Sequence, residues 1–151
     1  TAAFNNNQLP DEQAFIYARK ENGEIDYTKI VSYGGKKRDN VIIPNGVTII
    51  SDAAFYNNKL TSVKFPNGLT TIGNDVFIEN QLVSVTIPNS VTGIGNNAFY
   101  KTATSNLNLT TIINQTGKSF NWGYIVNGWS GHNFVTGTVV NNNGNVNVIP
   151  N

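Results

Sequence analysis

Phe55, Phe77 and Phe99 are spaced 22 residues apart, and Pro44, Pro66 and Pro88 keep the same interval. The chain between them repeats column by column: VIIPNGVTIISDAAFYNNKL from Val41, VKFPNGLTTIGNDVFIENQL from Val63 and VTIPNSVTGIGNNAFYKTAT from Val85. Apolar residues hold Val41/Val63/Val85, Ile43/Phe65/Ile87, Val47/Leu69/Val91, Ile50/Ile72/Ile94 and Ala54/Val76/Ala98. A unit this short cannot bury its own apolar face, so each copy must stack on the next. That requirement restricts the chain to a repeat stack.

Within each unit, Val63 and Phe65, like Val85 and Ile87, alternate with residues directed to the opposite face, as a strand requires. The strand stops at proline, and Pro-Asn-Gly at 44–46 and 66–68, with Pro-Asn-Ser at 88–90, fits a tight turn. In the second half, Val47, Ile50, Ala54 and Phe55 fall on one helical face, but Gly73 and Gly95 weaken a helix there. Short 3₁₀ or irregular turns on the convex side are expected.

The ends depart from the repeat. Phe15 to Val31 forms two β-prone segments around Asn22-Gly23, a strong hairpin signal, and a two-residue turn would pair Arg19 with Asp26 across the strands. Leu109 to Ile113 resembles one more strand, displaced by a five-residue slippage through KTATSN. The pattern then dissolves into aromatic-rich sequence, and FVTGTVV with NVNVI reads as a second hairpin, either a cap or the start of a linker. The expected organisation is an N-terminal hairpin cap over 1–37, repeats over 38–114 and a C-terminal cap over 115–151.

Net charge is +1 with 13% charged residues, which leaves no basic stripe for nucleic acid. Lys36-Lys37-Arg38, between Gly34-Gly35 and Asp39, reads as a solvated loop. Asparagine is the commonest residue, and it suits a chain of many turns because it tolerates the left-handed conformation and bonds to nearby backbone. The chain has no cysteine or methionine and opens at Thr1, so a segment of a longer protein is expected. No run approaches the ~18 apolar residues of a membrane span, so no membrane insertion is expected.

The unit LxxVxIPNxVTxIGxxAFYxN resembles the BspA-like, or treponemal-type, leucine-rich repeat of bacterial surface proteins, over about Arg38 to Tyr100. Where ordinary leucine-rich repeats carry asparagine or cysteine, this chain has Gly68, with Asn67 one place earlier, which favours the bacterial subtype. The resemblance implies a right-handed solenoid, mainly β, with short convex segments and hairpin caps. It also implies a secreted or wall-attached protein used in adhesion or host-protein binding, and it supplies no catalytic residues.

The strand residues outside the core are the candidate ligand-binding surface on the concave face: Asn40, Ile42, Thr61, Ser62, Lys64, Val83, Ser84, Thr86, Thr110, Thr111 and Ile113. Stacking presents them in rows. The aromatic group Phe120, Trp122, Tyr124, Trp129 and Phe134 fits a cover for the open end of the core, with a sugar-stacking platform as the alternative. His132 alone, without cysteine, gives no zinc ligand set, and the carboxylates are too scattered for a calcium loop, so neither metal nor cofactor is expected. Glu24 and Asp26 share a strand face at a separation a glycosidase could use, but a hairpin without a cleft suits no such pair. The expected protein is a monomeric, non-enzymatic module of a larger bacterial surface or secreted protein, binding a protein or glycan ligand on a host or neighbouring cell. The alternative is a targeting or spacer module of a secreted hydrolase.

Overall fold

The computed structural model describes residues 14–128, 133–140 and 143–150. The chain opens with β1 (Phe15–Arg19) and β2 (Ile25–Tyr33), and each repeat then supplies two short strands. These are β3 (Val41–Ile42) and β4 (Ile49–Ile50), β5 (Val63–Lys64) and β6 (Thr71–Ile72), and β7 (Ser84–Ile87) and β8 (Gly93–Ile94). Beyond them lie β9 (Thr111–Asn114), β10 (Phe120–Asn121), α1 (Trp122–Asn127), β11 (Asn133–Phe134), β12 (Gly137–Val139) and β13 (Val146–Pro150).

The 22-residue period appears directly as strand register. In a first ladder, Val41 pairs with Val63 and Ile42 with Lys64, in parallel. In a second, Ile50 pairs with Ile72 and Ile72 with Ile94, also in parallel. The second ladder replaces the helical face expected for Val47 and Ile50: two residues per unit are extended, and the following turn carries Ala54 and Phe55 into the core. Turns at 52–57, 74–79 and 96–99 form the remaining side, as expected.

Residues 73 and 95 lie where successive turns approach closely. A Cβ on Gly73 would fall 2.7 Å from the Asp52 nitrogen, and one on Gly95 would fall 2.5 Å from the Asn74 nitrogen. The corresponding Ser51 keeps a side chain because its amide bonds to Ile30 of the hairpin, not to a preceding repeat. Side chains at the next column bridge successive turns: Asp52 Oδ1 accepts from the Asn74 amide and Asn74 Oδ1 from the Asn96 amide, both at 2.8 Å. A second, buried set joins the other side. Asn80 accepts from the Leu60 amide at 2.9 Å and donates to Phe55 O at 2.7 Å, while Asn106 accepts from the Leu82 amide and donates to Phe77 O. Each asparagine therefore satisfies donors and acceptors of two turns that would otherwise be buried unpaired.

The core is one cluster threaded by a ring column. Phe55, Phe77 and Phe99 are fully buried and stack at 5.3 Å between ring centroids in each step. Tyr33 extends the column, stacking on Phe55 at 5.1 Å. It stands one repeat interval before Phe55, so the end of β2 occupies the place of a preceding unit.

The hairpin register differs from the sequence expectation. Gly23, at φ 86°, donates to Lys20 O, and the Lys20 amide donates to Glu24 O, giving three loop residues where two were expected. The pairing slips by one: Arg19 lies opposite Ile25, and Ala18 opposite Asp26. Lys20 approaches Glu24 at 3.8 Å, and Arg19 donates to Gly23 O. At the other end, β12 and β13 form the expected antiparallel hairpin, and β13 also runs parallel beside β9. The first ladder thus continues through the C-terminal segment.

Phe77 packs against Phe55, Phe99 and, edge-on, Phe65. Phe77→Ala is expected to destabilise by about 3–5 kcal/mol in chemical denaturation. Gly95→Ala, which presses a methyl onto the backbone of the preceding turn, is expected to cost about 1–3 kcal/mol. A wild-type melting curve for the glycine variant would refute close stacking at this column.

Candidate functional site

The register sorts the strand residues of the first ladder into rows. Ser84 pairs with Thr111 and Thr86 with Ile113 across β7 and β9; Thr111 and Ile113 in turn pair with Asn147 and Ile149 of β13. Counting through the repeat gives one polar row of Asn40, Ser62, Ser84, Thr111 and Asn147, and one mixed row of Ile42, Lys64, Thr86, Ile113 and Ile149. The Asn40 amide donates to Ser62 Oγ at 2.7 Å, holding the start of the polar row. Thr61, Val83 and Thr110 precede the strands; Thr61 donates twice to Arg38 O, and Val83 O accepts from the Thr110 amide.

All the candidate residues lie on or beside this ladder. Ile42 and Val83 are 53% and 50% exposed, so the face offers apolar as well as hydroxyl groups. Asn147 and Ile149 were missed because their segment reads as a cap, and its parallel docking on β9 is not visible in local pattern.

The ladder is interrupted between the second and third repeats. β5 bonds only to β3, and β7 only to β9, so two strand edges face each other without a ladder between them. Ile43 donates to Lys64 O, but the equivalent bond from Phe65 to Thr86 is missing. Phe65 stands in a column otherwise held by isoleucine, and its ring, packed edge-on to Phe77 at 5.9 Å, takes more room than Ile43 or Ile87. A groove of about 450 Å³ occupies the seam, with Val63, Phe65 and Val85 in its wall and Ser62, Lys64, Ser84 and Thr86 at its mouth. Lys64 is exposed and makes no salt bridge among the described residues. It is the one charged side chain in the rows.

The base of the face depends on Lys101, which lies in the segment that lengthens the third repeat. Its Nζ donates to Leu109 O at 2.6 Å, fixing the approach to β9. Lys101 is only 3% exposed, and burial pushes its ammonium pKa below the ordinary lysine value. The Leu82 to Leu109 interval is 27 residues, and the ladder still closes, with Val85 opposite Ile112.

Phe120 and Trp122 are buried at the C-terminal end, ring to ring at 5.5 Å, and Trp122 Nε1 donates to Phe134 O at 2.8 Å. Tyr124 is 38% exposed. Trp129 and His132 lie outside the described residues. Phe120 and Trp122 therefore cover the core. Helix α1, with Asn121 as its cap and Gly128 in the left-handed conformation at its end, was not expected from sequence.

Glu24 leaves the hairpin loop beside Lys20, whereas Asp26 Oδ1 accepts from the Thr28 hydroxyl and amide at 2.6 and 3.0 Å. Those bonds, the hydroxyl's first, hold the Asp26 carboxyl below the usual carboxylate range. Among the described residues no group of three or more His, Cys, Asp or Glu could hold a metal ion, and no helix is long and apolar enough to cross a membrane.

Parallel ladders at one repeat interval, a phenylalanine column and an asparagine ladder define a leucine-rich repeat protein. The model of the BspA type leucine rich repeat region matches residues 30–122 in six copies, and the chain belongs to that family. The match begins in β2, where Tyr33 heads the ring column, and ends at Trp122, beyond the sequence-expected repeat limits of 38–114. No curated protein and no solved structure matched the chain. The family makes this a protein-interaction repeat module of the surface-associated type.

Between the folded pKa of Lys101 and the ordinary lysine value, the unfolded chain binds more protons, so this residue makes stability rise with pH there. Lys101→Met is expected to remove that rise, read as the difference between wild-type and variant urea midpoints from neutral pH to about pH 10. Parallel pH profiles would show that Lys101 is not desolvated.

Proposed function

We propose that this chain is an extracellular adhesion or protein-binding module of a larger bacterial surface or secreted protein, working as a monomer through the face formed by the two rows. The observation that carries the reading is the alternation within the first ladder. Val41 and Val85 are buried, while Ile42, Ser84 and Thr86 are exposed on the same strands. Exposed isoleucine and valine amid hydroxyls form a surface that a folded partner can cover.

In this proposal the stack is a right-handed solenoid and the row face is its concave side. The five strands that carry the rows, at ~4.8 Å spacing, span roughly 24 Å. With strands of two to five residues, about 7–17 Å long, the face covers at most about 400 Å², below the ~800 Å² per partner of a standard interface. One copy alone then binds weakly, and adhesion draws on many copies at a surface. Glu24 and Asp26 each interact within the hairpin: Glu24 approaches Lys20 at 3.8 Å, and Asp26 accepts from the Thr28 hydroxyl.

The test is retention of matrix and serum proteins on densely immobilised module, compared with Ile42→Glu/Ile113→Glu. The wild type is expected to retain a partner that the same module in solution barely holds, and the double variant to lose it. Equal retention by the double variant would remove the rows from the binding surface.

A further inference from the structure

The seam between β5 and β7 is a recess within the face, and its chemistry is more specific than that of the rows. We propose that it is an acidic-peptide site: an extended partner segment lies on the face and places an aspartate or glutamate side chain in the groove, with its carboxylate on Lys64. This deepens the binding-module reading and rests on it.

Charge complementarity selects the occupant. Lys64 is the one charged side chain in the rows and has no carboxylate partner among the described residues. Ser84 and Thr86 hydroxyls, which make no side-chain hydrogen bond among the described residues, stand across the groove mouth as additional donors. A carboxylate accepts from ammonium and hydroxyl together, and such charge-assisted bonds are the strong ones. Half-buried Val63 in the groove wall suits the methylenes that carry the carboxylate.

Two further features favour a peptide over an acidic sugar. The groove is bounded by strand edges that have no ladder between them, and a chain in extended conformation can use such main-chain groups. No tryptophan or tyrosine lines the groove, and Phe65 is 7% exposed, so there is no open ring face on which a sugar could stack. Phe65 also explains why the recess sits in this repeat and not between β7 and β9, where the ladder is continuous.

The experiment uses the full chain labelled with nitrogen-15 and three probes: the blocked peptide Thr-Val-Glu-Val-Thr-Val, its glutamine counterpart and free glucuronic acid. The glutamate peptide is expected to shift the amides of Val63, Lys64, Phe65 and Thr86 with a millimolar dissociation constant. The glutamine peptide, and the glutamate peptide with Lys64→Gln, should each bind about tenfold more weakly. Lys64 is exposed, so this variant is expected to fold; Phe65→Ile, which restores the isoleucine column, should also reduce binding by letting the strands zip. No shift with the glutamate peptide, equal binding of the two peptides, indifference to Lys64→Gln, or shifts of the same residues by glucuronic acid alone would each overturn the proposal. Retention dependent on Ile42 and Ile113 reports on the rows outside the seam. Its persistence without peptide binding fails the seam alone, whereas its loss fails the module reading.

Discussion

The ring-on-ring contact of the phenylalanine column is the interaction from which the rest of the stack takes its spacing. Phe77 and Phe99 are within 6° of parallel, with centroids 5.3 Å apart, so each unit presents the next with a flat surface at nearly the strand-to-strand distance of a sheet. The second ladder follows that step throughout, and the first follows it except at the seam between β5 and β7. The glycines at 73 and 95 let the turns approach equally closely on the other side, and the asparagine and aspartate side chains tie those turns together by hydrogen bonds. A repeat lacking any one of these would still be apolar in the right columns, but it would not fit the common spacing.

The same column explains how the stack begins. Tyr33 offers Phe55 an aromatic face and sends its hydroxyl outward to Lys37 O, so a residue from a hairpin completes the inner column while its polar end stays satisfied. The other end is closed differently. There β10, β11 and α1 bring Phe120 and Trp122 over the core, and β13 continues the first ladder.

The repeat, its columns and the C-terminal hairpin were legible in sequence because they rest on periodicity and turn residues, which are local. The hairpin register was not, since Asn22-Gly23 fits both a two-residue turn and a three-residue loop; Gly23 at φ 86° and the Lys20–Glu24 backbone bond settle the second. The second ladder was hidden because Val47 and Ile50 satisfy a helical interval as well as two ends of a turn and strand. The rows of the candidate face were legible as alternation. The seam was not: Phe65 for isoleucine looks conservative in a column, and its consequence depends on the lateral room left between two strands. Asn80 and Asn106 passed unnoticed among so many asparagines, although Asn58 and Asn80 keep the repeat interval.

Ser51 gives the array a direction of growth. Its side chain stands where Gly73 and Gly95 admit only hydrogen, because what lies beneath it is a hairpin strand and not another turn. A unit copied from the second or third repeat carries its glycine with it and fits anywhere in the interior, whereas a copy of the first fits only on the hairpin. Lengthening by duplication is therefore confined to the glycine-bearing units. The hairpin and its serine unit form a fixed foundation on which arrays of different length can be built.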